Sequence, residues 1–330
     1  MDIVRIGCLG AASIVPAALA KPAKASPNVE FRAIAARDPA RAAAFARKYD
    51  IPVIHSSYEE LIADESLDAV YIPLPNSLHA EWSIRALESG RHVLCEKPFS
   101  ANAAEAARVQ KVADSTGFVV MEAFHWRYHP LAARMLEIVS AGELGMVRRI
   151  EAAFCFPLFK RRDIRWQLDL AGGAMMDAGC YAAHMVRTLA GAEPEVRTAR
   201  AHLRSAGVDR SMRAELAFED GRTGGILASM WSSKVLRVAL TVVGDAATMH
   251  VLNPLSPSMY HRLTVKGVAG TRREHVNGST TYSHQLRAFA AAVTEGLPVL
   301  TPPSDSVANM QLIDDIYRAA GLEPRRGATD

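Results

Sequence analysis

The sequence predicts an α/β domain on a doubly wound parallel sheet, followed by an α+β domain on a large, mainly antiparallel open sheet. Three observations lead there. The chain has 330 residues, and a single core rarely grows past roughly 250–300, so two domains are expected. Short apolar runs alternate with helical patterns through the first third, the signature of right-handed βαβ units. Beyond that point, strand patterns follow one another without intervening helices, as in an antiparallel sheet with one covered face.

Residues 3–9 form a mostly apolar run with little alternation, which suits a strand buried on both faces. Gly10, Ala11, Ala12 and Ser13 follow, then a helical pattern over 14–25 in which Pro16 falls in the tolerant first turn. Strands are predicted at 29–36, 53–54, 68–72, 92–95 and 118–121. Helices are predicted at 39–49, 58–63, 78–89 and 103–116. Pro73 and Pro75 stop the fourth strand, and Gly90 stops the helix before the fifth. The first domain is therefore set at 1–123 and the second at 124–330. The second opens with a helix over 130–141 and continues with strands at 147–156, 196–203, 212–218, 224–231 and 236–244. Met212, Ala214, Leu216 and Phe218 alternate with Arg213 and Glu215. Helices at 281–295 and 305–320 are expected to pack back on the first domain.

Composition excludes several classes of function. A net charge of +3 is too small and dispersed for nucleic acid, and Lys160-Arg161-Arg162, Arg272-Arg273 and Arg325-Arg326 read as solvated runs. Cys8, Cys95, Cys155 and Cys180 lack CxxC spacing, so no metal is expected and a reduced, cytoplasmic setting fits. There is no signal-peptide layout and no apolar stretch of roughly 18 residues, so no membrane is expected.

The first functional signal is the strand–glycine–helix unit Ile6-Gly7-Cys8-Leu9-Gly10-Ala11-Ala12. Small residues before a helix start let backbone N–H groups and the helix dipole meet a pyrophosphate, as in a Rossmann dinucleotide site. Gly7, Gly10, Ala12, Ser13 and Ile14 are the candidates. The match to GxGxxG is imperfect, since Ala12 and Val15 take the later glycine places; the alternative is a glycine that serves turn geometry alone. At the end of the second strand, an NAD enzyme usually carries an acid for the ribose 2′-hydroxyl. Here Ala36 occupies that place and Arg37 follows. A guanidinium suits a 2′-phosphate, so NADP is favoured over NAD. Alternatively Arg37 is a solvated turn residue, with Asp38 capping the next helix.

Three segments together resemble the glucose–fructose oxidoreductase/inositol dehydrogenase (Gfo/Idh/MocA) family. They are Pro73-Leu74-Pro75-Asn76-Ser77-Leu78-His79, Val93-Leu94-Cys95-Glu96-Lys97-Pro98 and Gly172-Gly173-Ala174-Met175-Met176-Asp177-Ala178-Gly179-Cys180-Tyr181. The resemblance extends over nearly the full chain. It implies a catalytic trio of Lys97, Asp177 and Tyr181, with Lys97 also touching the nicotinamide ribose and often followed by a cis proline bond. It implies a cofactor lining of Pro73, Leu74, Asn76, His79, Glu96, Trp126 and Arg127. Tyrosine at 181 places the chain in the branch that resembles dihydrodiol dehydrogenase and NADP-dependent xylose dehydrogenase. Phe156 and Trp166 are candidate substrate walls, as are Phe154 and Phe159, although each could simply fill core. Asp177 could equally cap or pair with an arginine, and Tyr181 could be a core phenol. His125, His129 and His184 read as structural first.

The expected chemistry is hydride transfer between a nicotinamide and a carbinol or carbonyl carbon of a sugar, polyol or cyclic trans-diol, with an aldose such as xylose or glucose favoured. A free phenol, with a pKa near roughly 10, is a poor base at neutral pH. The Lys97 ammonium, from the other domain, would favour the phenolate of Tyr181 and hold the substrate oxygen. Two alternatives remain open: a glycoside hydrolase with tightly held NAD, and a non-catalytic dinucleotide or sugar sensor. Apolar strands over 226–243 suggest a homodimer.

Overall fold

The computed structural model describes residues 3–231, 236–268 and 270–328. The chain forms two compact units. The first runs to Tyr128 and includes Tyr282–Val307; the second holds His129–Thr281 and continues from Ala308.

The first unit carries β1 Val4–Leu9, β2 Val29–Ala35, β3 Val53–His55, β4 Ala69–Ile72, β5 His92–Cys95 and β6 Val120–Glu122. All pair in parallel, in the order β3-β2-β1-β4-β5-β6. This is the doubly wound Rossmann order, whose strand sequence reverses between β1 and β4. The helices are α1 Lys21–Lys24, α2 Pro39–Tyr49, α3 Tyr58–Ala63, α4 His79–Glu88 and α5 Ala103–Thr116. Their starts follow local chemistry. Asp38 Oδ1 accepts from the Ala40 amide at 2.9 Å, with Pro39 at the first helical position; Ser57 and Asn102 cap α3 and α5 in the same way. One expectation is corrected: the helix over 14–25 opens with a π-helical turn, Pro16–Ala20, before α1. Pro22, directly after that turn, has no N–H to give and its ring crowds the carbonyl four residues back, which fits a widened turn before it.

α8, Thr281–Glu295, supplies Leu286, Phe289 and Ala290 to the core that also holds Val4, Ile6, Cys8, Val15 and Leu19. A segment remote in sequence thus completes one face of this sheet.

The second unit contains α6 Pro130–Ser140, α7 Cys180–Ala190 and strands β7 Val147–Cys155, β8 Glu195–Ser205, β9 Val208–Ala217, β10 Thr223–Ser229, β11 Arg237–Gly244, β12 Ala247–Leu252, β13 Arg262–Gly267 and β14 Gly270–Glu274. The last helix, α9 Pro303–Ala319, begins in the first unit and ends in the second. The eight strands form one sheet in the order β14-β13-β12-β11-β7-β10-β9-β8. Only β7 and β10 pair in parallel. The three strands β12–β14 extend the sheet beyond the five expected.

The sheet corrects the apolar reading of 226–243, of which 232–235 lie outside the described residues. Ile150, Ala152, Ile226, Ala228, Leu240 and Val242 are buried, on the face that packs against α7: a Cβ at Gly224 would lie 3.3 Å from Val186 of that helix. The other face is amphipathic. There Arg149 bridges Glu151 at 2.8 Å and Glu215 at 2.6 Å, and Arg213 also reaches Glu215, around Ala153, Gly225, Leu227 and Ala239.

A second correction concerns the basic runs. Lys160, Arg161, Arg162, Arg272 and Arg273 are exposed, but Arg325 is only 2% exposed and pairs with fully buried Asp209 at 2.7 Å. Arg272 is exposed yet bonded to Glu143 and Glu274. No helix among the described residues is long and apolar enough to cross a membrane, and no described cluster of His, Cys, Asp or Glu could hold a metal.

Phe289→Ala should cost about 3–5 kcal/mol, the usual loss for a buried aromatic. Urea unfolding would show it as a lower midpoint; an unchanged midpoint would place α8 outside the core.

Candidate active site

In the first unit the candidates gather at the carboxyl ends of β1, β2, β4 and β5, where ligands of open α/β sheets bind. The turn after β1 depends on Gly10, whose φ of 110° suits glycine and where a Cβ would crowd Leu74 at 3.3 Å. Its N–H donates to Ala35 O at 2.7 Å. Beyond it, among the described residues, the N–H groups of Ala12, Ser13 and Ile14 donate to no protein acceptor. These are the orphan donors of a helix start, and they fit a pyrophosphate. Gly7 lies in mid-strand, where a Cβ would strike Leu61 and Leu67 at 2.6–2.7 Å; its bareness makes room for side-chain packing.

At the end of β2, Ala36 is buried and Arg37 is exposed. Two neighbours were not foreseen in the sequence. Arg41 Nη2 donates to Ala11 O at 2.6 Å, fastening α2 to the glycine turn. Tyr58 places its hydroxyl by the Arg37 backbone and 3.8 Å from the vacant Gly10 Cβ position. Their signal in sequence was only a helical arginine and an isolated tyrosine.

Pro73 and Leu74 follow β4, and Asn76 sits in a single 3₁₀ turn that leads into α4. His79, 1% exposed, sets Nε2 against Leu74 O at 2.8 Å and Nδ1 against Pro98 O at 2.7 Å. It staples the loop after β4 to the loop after β5. Burial pulls its pKa down to about 4, against the two carbonyls, which favour the imidazolium. Glu96 accepts from the Tyr71 hydroxyl at 2.8 Å and from the Lys97 amide at 3.3 Å. Lys97 is half-buried and its bond to Pro98 is cis. Trp126 is 1% exposed and Arg127 half-buried. The His125 ring lies against Tyr282, centroids 4.2 Å apart; burial and the Lys97 charge lower its pKa to about 3.

In the second unit, Asp177 and Tyr181 lie at the head of α7. The i, i+4 spacing predicted one α-helical face. Instead Met175–Gly179 is a π-helical turn that continues into α7, so Asp177 and Tyr181 stand on either side of the change in pitch. Tyr181 packs edge-on against Phe154, centroids 5.8 Å apart, and Phe154 against Phe156 at 5.2 Å. Arg165, another residue that the sequence did not single out, lies over Phe156 and places Nη1 3.5 Å from Asp177 Oδ2. A bidentate hold on Asp163 anchors it and lowers the Asp163 pKa. Trp166 packs with Leu158, Ala174, Val208 and Met230. Its buried Nε1 meets no acceptor among the described residues.

Residues 4–124 match the family model described as an oxidoreductase family with an NAD-binding Rossmann fold, and 132–250 match the GFO/IDH/MocA C-terminal domain. D-xylose 1-dehydrogenase (NADP(+)) 2 of Haloferax volcanii is 38% identical, over 94% of each chain. The chain belongs to the Gfo/Idh/MocA oxidoreductase family. Another relative is dTDP-3,4-didehydro-2,6-dideoxy-α-D-glucose 3-reductase of Streptomyces violaceoruber, 34% identical over 88% of this chain and 85% of its own. Among solved structures, a 3-ketoreductase from Actinomadura kijaniata in complex with NADP and TDP-benzene superposes with a TM-score of 0.90. It is 28% identical and covers 96% of this chain and 98% of its own.

The depressed His125 fixes a direction of pH dependence. Its folded pKa, about 3, lies below the ordinary value of about 6.5. Between the two, the unfolded chain binds the extra proton, so stability falls as pH drops through that window. The Tm should decline from about pH 6.5 downward. His125→Phe should make the decline shallower; an unchanged slope would exclude this histidine as a cause.

Proposed function

We propose that this oxidoreductase is an NADP-dependent sugar dehydrogenase that acts on a CH–OH group, with an aldose such as xylose or glucose as substrate. The observation that carries it is the spacing of a lysine and a tyrosine along the chain: Lys97, on the loop after β5, and Tyr181, at the head of α7. The Actinomadura reductase has been solved both with a lysine replaced by alanine and with a tyrosine replaced by phenylalanine. That tyrosine follows that lysine by 84 positions, the separation of Lys97 and Tyr181 here.

The cofactor assignment draws on several residues. Ala12, Ser13 and Ile14 offer N–H groups to a pyrophosphate, and Gly10 keeps the turn bare for its approach. Arg37 takes the 2′-phosphate; Ala36 leaves no acid to repel it. Pro73, Leu74, Asn76, Trp126 and Arg127 line the nicotinamide half, while His79 and Glu96 hold the loops that carry Leu74 and Lys97. A bound nicotinamide supplies the hydride acceptor or donor.

Tyr181 takes the proton from the substrate hydroxyl during oxidation and returns it during reduction. Lys97 holds the substrate oxygen and stabilises negative charge there and on the phenolate. Asp177, steadied by Arg165, orients a second hydroxyl. Phe154 and Phe156 give Tyr181 an apolar wall, and the Trp166 indole has an N–H to offer. The relatives reported above are dehydrogenases and reductases, which favours net hydride transfer over hydrolysis or sensing. The amphipathic outer face of the eight-stranded sheet, with Arg149 and Arg213 set among Glu151 and Glu215, suits a homodimer; light scattering checks this.

An NADP-reduction screen over aldoses, inositols and trans-diols tests the assignment, with D-xylose and D-glucose expected among the substrates. Tyr181→Phe and Lys97→Ala should each lower kcat by about 10²–10⁴ while NADP affinity persists. Turnover near wild type in either would remove that residue from the chemistry. Arg37→Ala should shift the KM ratio of NADP to NAD toward NAD by roughly 10- to 100-fold. An unchanged ratio would reassign Arg37 to the solvated turn.

A further inference from the structure

We propose that Arg325, Asp209 and Tyr317 are positioning residues, which set the backbone of segment 172–181 and through it the placement of Asp177 and Tyr181. The proposal rests on the catalytic reading of Tyr181 given above.

The geometry is a closed set of short bonds around one buried ion pair. Arg325 Nε donates to Gly172 O at 2.7 Å and Nη2 to Asp209 Oδ1 at 2.7 Å. The Tyr317 hydroxyl donates to the same carboxylate oxygen at 2.9 Å, and the Met175 amide donates to Oδ2 at 2.7 Å. The guanidinium lies 4.0 Å over the Tyr317 ring. Asp209 is 0% and Arg325 2% exposed. A further clamp, Asn309 Nδ2 to Cys180 O at 3.3 Å, falls just before Tyr181. Three backbone groups within nine residues are thus held by side chains from β9, α9 and the segment after it.

The local backbone explains why a clamp is needed. A π-helical turn sits between Gly173 and Tyr181, and π turns break the regular i→i−4 ladder. Met175 begins that turn, so its N–H is one of the donors a helix start leaves unmet. Asp209 meets it with a negative charge at the positive end of the helix. Gly173 fits the same design. Its φ is 132°, and a Cβ there would fall 2.1 Å from Asp209 Oδ1. The motif glycine lets a carboxylate approach from behind.

Stability is a poor reason to bury such a pair. The desolvation of two charges commonly offsets their attraction, and apolar replacements of like volume are often as stable. What the pair does supply is direction: a planar fork with two fixed prongs, one on a carbonyl and one on a carboxylate. The tail arginine therefore acts on the reaction by fixing where the tyrosine-bearing helix starts.

The test uses the full-length protein with NADP and D-xylose. Arg325→Met should lower kcat by about 100-fold, the cost of a catalytic group displaced by roughly 1 Å, with NADP affinity unchanged. Arg325→Lys, which keeps the charge without the fork, should restore only part of the loss. Tyr317→Phe removes one donor, keeps the ring, and should lower kcat several-fold; it decides the matter if Arg325→Met fails to fold. In both, the limb of the kcat–pH profile that Tyr181→Phe abolishes should move. A folded variant with a lowered Tm but wild-type kcat and pH profile overturns the proposal and leaves a purely structural ion pair. Tyr181→Phe run alongside separates the two ideas. Wild-type turnover in it overturns the catalytic reading, whereas its loss beside wild-type turnover in Arg325→Met and Tyr317→Phe overturns the latch alone.

Discussion

A helix start leaves backbone N–H groups with no carbonyl to meet, and both units of this protein are organised around that deficit. In the first unit the donors of Ala12, Ser13 and Ile14 stay open at the mouth of the parallel sheet. In the second, the Met175 amide is closed off by the buried Asp209 carboxylate. Both starts run into a π-helical turn, Pro16–Ala20 and Met175–Gly179. The difference lies in what faces them. The donors after Gly10 meet no protein acceptor among the described residues, whereas Gly173 is backed by the Asp209 carboxylate that the Met175 amide meets. The same backbone physics leaves open donors in one unit and makes an internal anchor in the other.

Most of the fold was legible because burial leaves a periodic mark. The six parallel strands read as short apolar runs, and the alternation in β9 gave the covered face of the larger sheet. Of the three strands that went unread, β14 is the edge strand and is exposed along nearly its whole length, so it has no period-two signal to find. β12 and β13 do alternate, burying Met249, Val251, Leu263 and Val265, but each runs for only six residues. The π turns were equally silent, since their residues suit an α-helix as well.

The candidate site divides in the same way. Residues in contiguous motifs could be named: Gly10, Arg37, Lys97, Asp177 and Tyr181. Those that act from elsewhere in the chain could not. Arg41 reaches Ala11 across 30 positions, and Arg325 reaches Asp209 across 116. Arg325 was read as a solvated tail residue because arginine next to arginine near glycine usually is one. What reverses that reading is a carboxylate with no exposure, and sequence carries no mark of it. The apolar residues of 226–243 misled differently: Ile226, Ala228, Leu240 and Val242 are core and lie on the face toward α7, while Leu227 and Ala239 sit among the paired charges of the other face.

His79 shows how positioning and chemistry divide at the mouth of the parallel sheet. Both ring nitrogens lie within hydrogen-bond distance of carbonyl oxygens, one from the loop after β4 and one from the loop after β5. A neutral imidazole has a single N–H, so one of these contacts sets a lone pair against a carbonyl unless the ring is protonated. Burial and the Lys97 charge oppose that proton, and the two carbonyls favour it. Either way the ring has no polar atom left for a ligand. Its place at the first position of α4 makes it a strut, and the loop it braces is the one that carries Lys97. The chemistry proposed for Lys97 thus rests on a loop braced by a histidine whose ring nitrogens meet only backbone carbonyls, as the chemistry proposed for Tyr181 rests on a helix start held by Arg325.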